Sequence, residues 1–309
     1  MNHLVTQLEV QQALDKAYQK ALPLTMGNIA ANVHGYDPDK FGISVILSDG
    51  TQFHTGDTES PSPLGGIFRI PVATILLSQT SPEQLIEKTS CGCGCNDRHP
   101  DRQKLPICRH ILRAVSAIEP IHDSDAKWSI IQDSLIKLMD DPPQLDMALY
   151  QASKINAKNH NIINRLADEE FYLYDDANIA VDLLLKAKAM TVTTRQLATM
   201  GATLAADGFN PVSGQTAFAD HISRHVIGMI AAKGIHKSTL SWNVKVGLPA
   251  RSSKAGAIVA ILPGTLAIAA YSPRINENGV SIRASQAIAD FARTLNLNAF
   301  QAKRTKIVP

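Results

Sequence analysis

Two apolar runs near the carboxyl end, AGAIVAIL (255–262) and TLAIAAYS (265–272), are separated only by Pro263 and Gly264. The pair predicts a buried β-hairpin, and because neither run alternates polar with apolar residues, both faces of its strands need cover, most simply from helices. The preceding VKVGLP (244–249) reads as a third strand ending in a glycine–proline turn, with the basic stretch Arg251 to Lys254 at the sheet edge. Far upstream, Phe41–Leu47 and Thr51–Thr55 flank Asp49-Gly50, a second hairpin signal. The sheet is therefore assembled from both ends of the chain.

Between the hairpins the pattern changes to helical spacing, as it does before them. Leu8, Val10, Leu14, Ala17, Tyr18 and Ala21 predict a helix over 6–22. Ser81-Pro82-Glu83-Gln84 is a capped start for a short helix over 82–89. Further helices are predicted over 107–118, 124–138, 146–166 and 175–189, where Asp175-Asp176 marks a start favoured by the helix dipole. Thr194 caps one ending at Gly208, another spans 218–232 before Gly234, and a last one spans 285–295. The expected fold is α/β in the α+β sense: an antiparallel sheet flanked by helices, plus a helical subdomain. One domain over 1–300 divides into a sheet subdomain (1–66 and 235–300) and a helical one (67–234), with 301–309 as a tail. Trp128 and Trp242 are expected to pack.

Composition narrows the function. The 309 residues are 45% hydrophobic and 19% charged, and 30 basic against 28 acidic residues leave a charge of +2. No block of like charge points to nucleic acid or an anionic membrane as partner. The start, MNHLVTQLEVQQALDKAYQKAL, lacks a basic segment followed by an apolar core, so a cytoplasmic protein is expected. There, cysteines are free thiols or metal ligands rather than a disulfide framework.

Two longer stretches carry a family likeness. VGLPARSSKAGAIVAILPGTLAIAAYSP (246–273) and TTRQLATMGATLAADGFNPVSG (193–214) resemble the V-G-L-P-[AG]-K-S-G hairpin segment and the L-A-x-x-G-A-T-L-A-x-G-G-x-N-P segment of serine-dependent glutaminases. That resemblance implies a serine β-lactamase-like fold and assembly as a homodimer or homotetramer. It also implies amide cleavage by a serine that a lysine three residues later activates, a spacing that puts both on one helix face. The family's E-S-I-S-K-V falls on the stretch 64–70, so the serine position is Gly66 and the lysine position Arg69. Glycine offers no nucleophile, and a guanidinium is no general base. Pro71 is further expected to delay the helix start.

Other family positions differ as well. The asparagine of N-A-G-A-I falls on Arg109, and the substrate-holding glutamate and asparagine fall near Ser153 and His160. The tyrosine of D-x-Y-x-x-x-C falls on Leu184, the one before V-G-L-P on Val244, and the oxyanion-hole valine on Lys254. Two more Ser-x-x-Lys spacings, Ser124 to Lys127 and Ser134 to Lys137, read as solvated helix faces rather than catalytic pairs. The sequence thus suggests a catalytically degenerate member acting in binding, metal handling or regulation. The alternative is an active glutaminase, converting L-glutamine and water to L-glutamate and ammonia through a rebuilt site such as Cys108 with His110. Against that alternative, a C-x-H spacing on one helix puts the two side chains on different faces.

All four cysteines, Cys91, Cys93, Cys95 and Cys108, fall in one short window, SCGCGCNDRHPDRQKLPICRH, beside the expected pocket. Glycine spacing lets their sulfurs converge, so a zinc ion or an iron–sulfur cluster is expected there, with His99 and His110 as further ligands. His221 and His225 beside Asp220 have helical metal spacing but no third partner, and read as a surface face. Arg69, Arg109, Arg251 and Lys254 come from separate segments that the resemblance gathers around one pocket, which predicts a small anionic ligand.

Overall fold

The hairpin forms as its pattern demands. The computed structural model describes residues 4–30, 35–89, 108–301 and 306–308. Five antiparallel strands make the central sheet: β1 (Gly42–Leu47), β2 (Gln52–Gly56), β3 (Ala250–Ser252), β4 (Ala257–Leu262) and β5 (Leu266–Tyr271), in the order β3-β4-β5-β1-β2. Gly264, at φ +70, makes the turn that pairs Leu262 with Leu266. β5 then pairs with β1, Leu266 opposite Leu47 and Tyr271 opposite Gly42, joining the two ends of the chain in the middle of the sheet.

Strands β1, β4 and β5 are buried along their whole length, so each face meets its own core. Ile43, Val45, Ile258, Ala260, Ile268 and Ala270 face helices α1 (Gln7–Ala21) and α12 (Ile282–Thr294). Ile46, Val259, Ile261, Ala267 and Ala269 face the larger core, which contains α9 (Thr194–Ala205). Gly201 of α9 sits so close to the sheet that a Cβ there would lie 2.6 Å from Ala267 Cβ and 2.8 Å from Val259 Cγ2. Leu4–Thr6 pairs in parallel with Lys306–Val308.

The remaining helices are α2 (Arg69–Gln79), α3 (Pro82–Thr89), α4 (Arg109–Ser116), α5 (Ser124–Met139), α6 (Met147–Asn159), α7 (Ile162–Asp168), α8 (Ala177–Lys188), α10 (Asp220–Lys233) and α11 (Thr239–Lys245). Several differ from expectation for local reasons. The helix expected over 146–166 breaks because Asn161 takes a left-handed conformation, φ 47 and ψ 43. The last helix starts three residues early, at Ile282, since Ser281 caps it by accepting from Ala284 N. Pro71 does not delay α2, which begins two residues before it as the continuation of a 3-10 turn over Gly65–Phe68.

The strand expected at VKVGLP is a correction. Val244 and Lys245 end α11, and β3 begins only at Ala250. Buried Trp242 donates its indole N–H to Leu248 O at 2.7 Å, which folds the segment back on its own helix. Gly247, at φ +75, makes the reversal where any Cβ would strike the Asn298 side chain.

A second correction concerns Ser124 and Lys127. Their helix face is not solvated there: Lys127 is fully buried, paired with the buried Asp175 carboxylate and donating to Ser116 O at 3.0 Å. Asp175 is thus an ion-pair partner, and the helix cap is Asp176, which accepts from Asn178 N and Ile179 N. Trp128 packs against the larger core, with Lys186 Nζ 4.7 Å from its ring centre.

Candidate functional site

The first turn of α2, the start of α4, the end of α8 and the edge strand β3 converge on one point. Gly65 takes φ +51, and a Cβ there would overlap Ser253 Oγ at 2.3 Å, so the turn carrying Gly66 lies directly on the β3 segment. Arg251 locks the contact by donating through Nε to Gly66 O at 3.0 Å and through Nη1 to Lys233 O at 2.9 Å. A Cβ on residue 66 would lie 3.1 Å from Ser252 O and 3.8 Å from Arg251 Nη2. A side chain at position 66 would therefore press on the Ser252 carbonyl, beside the buried Arg251 guanidinium.

Arg69, one turn along, reaches Cys108. Cys108 is the cap residue before α4, with φ −74 and ψ 119, so it stands outside the helical progression of the residues that follow. Two residues apart on one helix, Cys108 and His110 would diverge; Cys108 is extended and stands before the helix, and His110 lowers its thiol. The objection from C-x-H spacing therefore does not hold.

Cys108 is exposed as a residue, yet its surroundings are dense enough for burial to push the thiol up. The His110 hydrogen bond, the Arg69 charge, the Ile111 backbone N–H and the Arg69 hydrogen bond outweigh that push and bring the thiol down to about 5. The Ile111 contribution is the pull of a helix start on an anion, although no capping bond closes. The cations respond in turn. Burial, then the Arg69 charge, push Arg251 down to about 9 against the opposing pull of Cys108. Burial likewise lowers Lys188, at the end of α8, with Arg69 and Lys254 lowering it further and Cys108 opposing.

Lys188 is the residue that sequence reasoning missed. It is the last position of the D-x-Y-x-x-x-C alignment that starts at Asp182, and a lysine where that motif ends in cysteine was the available signal. Of the four cations expected together, Arg69, Arg251 and Lys254 share this field, whereas Arg109 pairs with Glu169 and lies over the Phe171 ring at 5.8 Å. Lys254 is itself exposed.

The remaining predicted positions scatter. Leu184 is fully buried in the core, and Val244 is 76% exposed on α11. Ser153 is half-buried on α6, and exposed His160 hydrogen-bonds Asn156 O at 2.8 Å. A cleft of about 550 Å³ between α6, α7 and α8, lined by Lys154, Lys158, Asn161 and Asp182 among others, contains none of the residues around Gly66. Cys91, Cys93, Cys95 and His99 lie outside the described residues. Among the described residues no group of three or more His, Cys, Asp or Glu side chains is arranged to hold a metal, and no helix is long and apolar enough to cross a membrane.

Comparison with known proteins puts this site in context. The glutaminase family model matches residues 27–300. A glutaminase of Bacteroides thetaiotaomicron is 29% identical over the full length of both chains, and one of Brucella canis is 28% identical over 95% of this chain and 96% of its own. The solved structure of the probable glutaminase YbaS superposes with a TM-score of 0.85 at 25% identity, covering 96% of this chain and 99% of that one. A probable glutaminase from Bacillus subtilis shares the fold with a TM-score of 0.78 at 20% identity, over 95% and 96% of the two chains. The antiparallel sheet between helical layers is thus the β-lactamase-like fold of these enzymes, and the chain belongs to the glutaminase family.

Proposed function

We infer that this chain is an amide hydrolase of the glutaminase family in which the serine–lysine pair is absent at Gly66 and Arg69 and Cys108 serves as the nucleophile. L-glutamine, cleaved to L-glutamate and ammonia, is the substrate the family relationship puts first. The observation that carries this reading is Cys108, extended at the cap of α4, where His110 and Arg69 together pull its thiol far below the ordinary range. A thiolate needs no base to activate it, which removes the requirement for a neutral lysine.

In this mechanism Cys108 Sγ attacks the amide carbonyl carbon, forming a C–S bond. The C–N bond then breaks, and ammonia leaves with a proton from His110. Water, giving its proton back to His110, hydrolyses the thioester to the carboxylate and restores the thiolate. Arg69 holds the sulfur ionised, and Arg251 fixes the turn against β3.

The test is ammonia release from L-glutamine by the purified protein. Cys108→Ser abolishes it, His110→Ala lowers it by about 100-fold or more, and Ser124→Ala with Ser134→Ala leaves it intact. Unchanged turnover in a folded Cys108→Ser protein, or no ammonia above the buffer blank from the wild type, refutes the reading.

A further inference from the structure

Helices α6, α7 and α8 do not close fully on one another. The cleft of about 550 Å³ that they leave beside the first turn of α5 is of the size that holds small molecules, about 300–1,000 Å³. Its lining is two-sided in chemistry. Ala157, Ile162, Val181 and Leu185, all buried, make its depth aliphatic, and no aromatic ring is among the described lining residues. Exposed Lys154, Lys158 and Asn161, with half-buried Asp182, stand at its mouth.

These polar groups are unequally committed. Lys154 Nζ lies 3.2 Å from Asp182 Oδ1 and 3.5 Å from the Tyr150 hydroxyl, which itself donates to Asp182, so that carboxylate is already shared. Lys158 follows Lys154 by four residues on the same face of α6, where two like charges repel. A cation in the last turn of a helix favours the helix dipole, so the charge of Lys158 alone marks no site; what distinguishes it is the aliphatic hollow beside it. An asparagine before a helix ordinarily spends its side chain on the first backbone N–H groups, but Asn161, in its left-handed conformation, makes no such bond. Its carboxamide is left to the cleft it lines.

We propose that this cleft binds a medium-chain aliphatic carboxylate, its hydrocarbon chain against Ala157, Ile162, Val181 and Leu185 and its head group between Lys158 and Asn161. A tail without rings matches the aliphatic depth, and an anionic head balances a lining in which two lysines stand against one aspartate. The site is separate from that of Cys108: α8 gives it Val181, Asp182 and Leu185, whereas Leu184 of the same helix is buried in the core and Lys188 ends it. Binding there needs nothing of Cys108, so it holds whether or not the chain cleaves amides.

The experiment is calorimetric titration of the full chain with hexanoate, octanoate and decanoate, each below its micelle-forming concentration. The expected result is one saturable site per chain, with affinity rising about two- to fourfold for each added methylene. Octan-1-ol and octylamine bind at least about threefold more weakly than octanoate. Lys158→Gln and Asn161→Asp, both at exposed positions, weaken octanoate by about three- to tenfold and leave the melting temperature unchanged, since aspartate tolerates the left-handed conformation as asparagine does.

No saturable binding, or octanoate binding that neither substitution weakens, overturns the site. Octan-1-ol bound as tightly as octanoate overturns the anionic class, and an affinity that does not rise with chain length overturns the aliphatic one. Octanoate binding lost in Cys108→Ser but kept in Lys158→Gln would put the ligand beside Cys108 and overturn the proposal as well.

Discussion

Replacing Arg69 by glutamine removes both the charge and the hydrogen bond that this residue gives Cys108. The thiol moves from an ordinary value of 9.0 to about 5 in the folded protein. At pH 7 that difference separates about 99% thiolate from about 1%. Arg69 supplies two of the four influences that lower it, and a nearby opposite charge is worth about 1–3 units. The midpoint in Arg69→Gln is therefore expected between about 6 and 8. The assay is iodoacetamide alkylation of Cys108 across pH, followed on its own peptide. In the wild type the rate rises through about 5 and is flat above, because only the thiolate reacts; in the variant the whole curve shifts to higher pH and the plateau is retained. A midpoint unmoved by the substitution would refute the assigned electrostatics, since burial alone pushes the thiol the other way.

Lys127→Met leaves the Asp175 carboxylate buried without its partner and is expected to cost about 3–5 kcal/mol in urea unfolding. Burial pushes Asp175 up, but Lys127, the Asp176 and His122 backbone N–H groups together bring it below its ordinary value. The stability it contributes is thus fully present above the unfolded carboxyl value of 3.8 and disappears as pH falls through the lower folded value; Lys127→Met loses this acid limb. Gly201→Val forces α9 away from Ala267 and Val259 and is expected to cost about 1–3 kcal/mol or more, read as a lowered melting temperature. A melting temperature equal to wild type would mean the helix does not lie as close to the sheet as described.

Much of the fold was legible because its signals are local. Pro263-Gly264 between two apolar runs and Asp49-Gly50 between two others fix both hairpins; Asp123 caps a helix where periodicity put its start, and Thr193, one residue before the expected Thr194, caps another. What stayed hidden depends on tertiary contact. Trp242 finding Leu248 O turns an alternating segment into helix and turn, and nothing in Val244–Pro249 announces it. Lys127 reads as surface until Asp175, nearly fifty residues later in the chain, comes to meet it. The site divides the same way. Gly66 and Arg69 were found by alignment, but the influence of His110 on Cys108 depends on one extended ψ at a helix cap, and Lys188 joins only because α8 ends there.

The pairing of β5 with β1 has a consequence for how the chain is made. Each of these hairpins closes a loop of three or four residues, a local event, but Leu266 opposite Leu47 closes one of about 220 residues, whose entropic cost grows with the logarithm of its length. During synthesis the segment 42–56 leaves the ribosome long before its central partner exists. Until Leu266–Tyr271 emerges, β1 presents an unpaired, largely apolar edge, and α1 has only half a surface to cover. The helical segments made in the interval can settle on one another, so the sheet closes last, around partners already in place. Slowing translation beyond Ala205, or interrupting it before Leu266, would therefore hold the chain in its most aggregation-prone form.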